Sequence, residues 1–88
     1  MIIMKLKVGK HYIITSEKGE AYIIKYAGEE SFNDVTTKWC HLRYYNDKNN
    51  HNKWHNHTRP NKMIQYNDNI PSNMIREITD EEICLLMI

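Results

Sequence analysis

The chain has 88 residues, 41% of them apolar and 26% charged, which is material for a single small domain over 1–88 and rules out wholesale disorder. A formal net charge of +1 rules out a uniformly basic or acidic protein, and the longest apolar run, Ile83 to Ile88, is far short of the roughly 20 residues that cross a bilayer as a helix. Two cysteines, Cys40 and Cys84, make too sparse a framework for a disulfide scaffold, and Lys5 and Lys7 interrupt the apolar start at Met1 to Met4, so a cytoplasmic protein with reduced thiols is expected.

From the N-terminus, β-branched and aromatic residues fall in short runs divided by Gly, Ser, Asp and Asn, the pattern of a β protein. Ile2 to Val8 alternates, with Ile2, Met4, Leu6 and Val8 on one face, and predicts a half-buried strand. After a bend at Gly9-Lys10, His11 to Thr15 predicts a second strand, and Ser16-Glu17-Lys18-Gly19 has the composition of a hairpin turn. Its pairing partner follows at Glu20 to Tyr26, where Tyr22, Ile24 and Tyr26 alternate with Ala21 and Ile23.

Ala27 to Ser31 reads as a loop, and Val35 to Tyr45 resumes the extended pattern with Cys40, Leu42 and Tyr44 inward and Trp39, His41, Arg43 and Tyr45 outward. Residues 46–61, rich in Asn, His and Lys, predict a long polar loop, a functional or disordered segment by its length. Lys62 to Tyr66 and Met74 to Ile78 are two further short strands. Thr79-Asp80-Glu81-Glu82 is a capping box: the Thr79 hydroxyl accepts from the Glu82 amide while the Glu82 carboxylate accepts from the Thr79 amide. A helix therefore starts at the cap, with Ile83, Leu86 and Met87 on an apolar stripe that covers the sheet or forms a homodimer seam. The fold class expected is mainly β: a small, strongly bent sheet or SH3-like barrel of about five strands with a short C-terminal helix.

Charge is unevenly placed. Residues 1–37 balance to zero; residues 38–66 carry Lys38, Arg43, Lys48, Lys53, Arg59 and Lys62 against Asp47 alone, for +5; residues 67–88 set Arg76 against Asp68, Glu77, Asp80, Glu81 and Glu82, for −4. Trp39, Tyr44, Tyr45, Trp54 and Tyr66 are interleaved with the basic set. Cations that neutralise phosphates beside rings that stack on bases are the pairing by which single strands are held. The candidate binding residues are accordingly Lys38, Trp39, Arg43, Tyr45, Lys48, Lys53, Trp54, Arg59 and Lys62. Trp54, in a polar loop, is also a natural anchor for a protein partner.

Other chemistry is weaker. His51, His55 and His57 form the one cluster resembling metal ligands, but their spacing suits no single helix or strand, so solvated loop histidines are expected and no cofactor is implied. Gly9, Gly19 and Gly28 are isolated, which leaves no phosphate loop, and Cys40 beside His41 on a strand would point the opposite way. A non-catalytic binding protein is therefore expected, with nucleic acid or another polyanion as ligand. The alternatives are a protein inhibitor or adaptor acting on a host or defence enzyme, in an anti-CRISPR-like or other anti-defence role, or a protein that sequesters a nucleotide. Twelve Ile, ten Asn and nine Lys are a composition common in AT-rich genomes, phages and mobile elements among them.

Overall fold

The computed structural model describes residues 5–47, 53–58, 62–66 and 69–88. Its strands are β1 (His11–Thr15), β2 (Glu20–Phe32), β3 (Val35–Asp47), β4 (Lys53–Asn56), β5 (Met63–Gln65) and β6 (Ile75–Ile78), with a 3₁₀ turn at Ser72–Met74 and a final helix α1 (Asp80–Leu86). All six strands join one sheet in the order β4-β3-β2-β1-β6, with β5 also paired to β3, and every pairing is antiparallel. Strands β4 and β5 lie end to end on β3, against Tyr44 to Asp47 and Trp39 to His41 respectively. The sheet is strongly bent and curls into a half-barrel, and the protein is mainly β with one short C-terminal helix.

Local chemistry explains the connections. Between β1 and β2, Gly19 takes a φ of +85°, and the Ser16 side-chain oxygen accepts from the Glu20 amide at 3.1 Å. Between β2 and β3, Asn33 and Asp34 both have positive φ, 49° and 64°, as a two-residue type I′ hairpin turn requires and as Asn and Asp tolerate best among residues with a side chain. Two register shifts interrupt this hairpin, one between Ile23 and Ile24 and one between Tyr26 and Gly28. The first leaves Arg43 as the extra residue of β3 and the second leaves Ala27 as the extra residue of β2, so each strand locally twists and re-aims its side chains.

The sheet buries both faces. On one, Tyr12, Ile24, Tyr26, Cys40, Tyr66 and Ile75 form a core joined by Leu6, Ile14, Leu42, Ile64 and Ile70. On the other, Ile23, Ile78 and Ile83 pack with Ile13, Tyr44, Trp54 and Met87. The adjacent pairs Tyr12/Ile13 and Ile23/Ile24 divide between the two cores, as alternation along a strand demands. Helix α1 is held over the second core by Ile83, whose burial contributes roughly 1.5–3 kcal/mol, and by the expected capping box: the Glu82 amide donates to Thr79 Oγ1 at 3.2 Å and the Thr79 amide to Glu82 Oε1 at 3.3 Å.

Three expectations need correction. Residues 5–8 of the first predicted strand are not in a strand; Leu6 packs on the core while Val8 is 70% exposed, and Lys7 donates its amide to the buried Tyr12 hydroxyl at 2.8 Å. Residues 1–4 of that prediction lie outside the described residues. Ala27 to Ser31 is not a loop but the continuation of β2, which pairs with β3 out to Phe32. The polar segment 46–61 is not without structure, because Asn46 and Asp47 end β3 and Lys53–Asn56 forms β4.

Candidate anion-binding face

Residues directly opposite one another on paired strands share a face, about 5 Å apart. One such row crosses the sheet as Ile78 on β6, His11 on β1, Lys25 on β2, His41 on β3 and Met63 on β5. Lys25 alternates with Ile23, so the row lies on the helix-bearing face, beside the second core. Trp39 lies two residues from His41 along β3 and therefore on the same side, opposite Gly28 and Gln65, and is half-buried. Arg43, displaced by the bulge, comes close enough to His11 to act on its charge. The face thus gathers Lys25, Arg43, His11, His41 and Trp39.

Its electrostatics are lopsided. Among the described residues neither Lys25 nor Arg43 makes an ion pair. The carboxylate at the margin is Asp80, whose Oδ1 is 3.5 Å from His11 Nδ1. Burial holds the His11 imidazole below its usual value of 6.5; Asp80 pulls the other way, and Arg43 and Lys25 add to the lowering. Trp39 Nε1, His41 Nδ1 and Arg43 Nε are all covered atoms without a hydrogen-bond partner. Leaving such a group unpaired costs about 1–3 kcal/mol, and here three occur at alternate positions of one strand. Beside His11 lies a cleft of about 400 Å³ bordered by the cations Lys10 and Lys25 and by the carboxylates Glu77 and Asp80.

No known family model, curated protein or solved structure matches the chain.

The residues singled out from the sequence are divided by the sheet. Trp39 and Arg43 meet on this face, joined by His41. Lys38 lies opposite Glu29 on the other side, and Tyr45, which alternation had placed with Trp39, is turned to that side too by the extra residue at Arg43. There its ring is 5.0 Å from Tyr22 and 6.3 Å from His57. The Tyr22 hydroxyl donates to Glu20 at 2.5 Å, which pushes its pKa up to about 12. Trp54 is half-buried against the second core, while Lys53 is exposed on β4 and Lys62 is exposed just before β5. Lys48, Arg59 and His51 lie outside the described residues. His55 is exposed opposite Tyr45, and among the described residues no group of three His, Cys, Asp or Glu side chains converges on a metal position.

Sequence reasoning missed Lys25 and His11 because they lie in a segment whose net charge is zero. The signal that could have found them is positional: Lys25 continues the alternation of Ala21 and Ile23 and so belongs to a face already half apolar. Cys40 and His41 point to opposite faces. The Cys40 thiol donates to the Ile64 carbonyl at 3.6 Å inside the first core, and burial pushes its pKa up to about 11, the reverse of nucleophile activation. No helix among the described residues is long and apolar enough to cross a membrane.

Proposed function

We propose that the chain is a non-catalytic binding protein that holds single-stranded nucleic acid on the face formed by His11, Lys25, Trp39, His41 and Arg43. The observation that carries this reading is the pair of cations, Lys25 and Arg43, which have no carboxylate partner among the described residues and are set beside two imidazoles and an indole. Phosphates would neutralise the cations and supply acceptors, while a base stacks on Trp39, a combination that tolerates any sequence. The SH3-like reading of the bent sheet belongs to the same proposal, since a small barrel presents such a face on rigid strands.

Fluorescence anisotropy with a labelled oligonucleotide tests the reading. With two or three phosphate contacts on a single strand, affinity should fall roughly tenfold between 50 and 200 mM salt. Binding that is absent at low salt, or indifferent to salt, removes the proposal. A second reading, sequestration of a free nucleotide, draws on the cleft beside Lys10 and Lys25, whose 400 Å³ suits a small ligand. Calorimetry separates the two: a sponge binds the mononucleotide as tightly as the oligonucleotide, whereas an extended face binds the oligonucleotide more tightly.

A further inference from the structure

The outer part of the β2–β3 hairpin has no flanking strand among the described residues. Strand β1 pairs with β2 only from Ala21 to Lys25, and β5 with β3 only from Trp39 to His41. Residues 29–37 therefore form a two-stranded arm. Phe32 and Val35 stand opposite each other beside the turn and are 76% and 64% exposed. An uncovered ribbon of two strands is marginal in water, and an apolar pair at its tip marks an interaction surface. The arm carries Glu29, Glu30 and Asp34, of which Glu29 stands opposite Lys38 and Glu30 opposite Thr37.

Its complement is on the same chain. The face around His41 offers Lys25 and Arg43, without an ion pair among the described residues, together with apolar surface from Trp39 and from Met63, which is 49% exposed. By alternation along β3, Val35, Thr37 and Trp39 point the same way, so the apolar tip and the cationic patch share one side of the hairpin. By the same pairing Glu30, opposite Thr37, is on that side and Glu29 is not, so two copies laid antiparallel with these sides together would set each tip on the other's Trp39 and Met63 and bring each Glu30 toward the other's cations. Such a contact is self-complementary, as two-fold symmetry requires.

We infer that the occupant of this surface is a second copy of the chain, in a dimer that exchanges the β2–β3 arms. This goes beyond the nucleic-acid reading and stands without it. Where both hold, polyanion and partner arm compete for Lys25 and Arg43.

Sedimentation equilibrium of the full chain tests it. A monomer–dimer equilibrium that weakens with salt is expected, and Phe32→Ser should raise the dimer Kd at least about tenfold, the scale of one lost interface anchor. Two charge variants complete the test: Glu30→Lys, and Lys25→Glu with Arg43→Glu. Each alone should be monomeric, and an equal mixture should restore the dimer, because the reversed arm charge then meets the reversed face and the native Glu30 a native one. Circular dichroism checks that every variant keeps its sheet. A native chain that stays monomeric at low salt and the highest attainable concentration overturns the inference, as does a dimer indifferent to Phe32→Ser or a mixture that fails to pair. Oligonucleotide binding by such a monomer would leave the nucleic-acid reading intact while removing this one.

Discussion

Lys25 of β2 stands directly opposite His41 of β3, with His11 flanking it from β1. The Lys25 ammonium and the Arg43 guanidinium both act on His11, so two like charges share this face and an anion bound there would relieve their repulsion. Lys25→Ala and Arg43→Ala are each expected to weaken oligonucleotide binding and to reduce the salt slope by about 0.7, one phosphate contact on a single strand. Trp39→Ala should cost about 1–3 kcal/mol of stacking with little change in slope. Lys53→Ala, exposed on β4 and away from this face, should change neither. Anisotropy titrations at several salt concentrations read all four.

Protonation of His11 should couple to binding. In the free protein burial holds its pKa below 6.5, aided by Arg43 and Lys25 and opposed by Asp80. The sign for stability follows: the unfolded chain takes up a proton near 6.5 before the folded one does, so the contribution is present above that pH and is lost as pH falls through the depressed folded value. A bound phosphate favours the imidazolium and reverses the preference. Oligonucleotide affinity should therefore rise as pH drops below 6.5, with proton uptake on binding, and His11→Gln should flatten that part of the profile. Calorimetry in two buffers of different ionisation heat measures the uptake directly.

Features that are local in the chain were the ones legible in it. The Thr79–Glu82 capping box spans four residues, so both of its hydrogen bonds could be read without knowing the fold. The Ser16 to Gly19 turn is of the same kind. The outer half of β2 was not legible, because Glu29, Glu30 and Ser31 face solvent on both sides and carry no apolar period; pairing to β3 alone makes them a strand. Asn33-Asp34 makes the turn without the glycine that usually marks a type I′ hairpin in a sequence. Tyr45 defeated alternation for a different reason. Arg43 is an extra residue, and a bulge that depends on the neighbouring strand leaves no mark in a single sequence.

Removal of the cap should loosen α1. Thr79→Ala deletes the acceptor for the Glu82 amide and is expected to cost about 1 kcal/mol, read as a lower urea midpoint at unchanged m-value. Glu82 also accepts from Arg76 Nη1 at 2.8 Å, and this guanidinium first, then the Thr79 amide, holds its carboxyl below the ordinary 4.5. A depressed carboxyl contributes stability above its unfolded pKa and loses it as pH falls through the folded value. Acid titration of the native protein should show that loss below about pH 4.5, and Glu82→Gln should reduce it.

The two thiols should differ sharply in reactivity. Cys84 is exposed on α1, whereas Cys40 is buried between Tyr26 and Ile64 partners of the first core and its pKa is pushed from 9.0 to about 11. Because the thiolate is the reacting species, that shift alone lowers the reactive fraction of Cys40 about 100-fold at neutral pH, before any loss of access. Iodoacetamide at pH 8 should label Cys84 promptly and Cys40 only through opening of the sheet. Mass spectrometry of the time course therefore reports opening around β3, and a ligand that binds the Trp39–Arg43 face should slow the labelling of Cys40, since binding the folded state stabilises it by mass action. Labelling of both cysteines at equal rates in the native protein would show that this core does not close over Cys40.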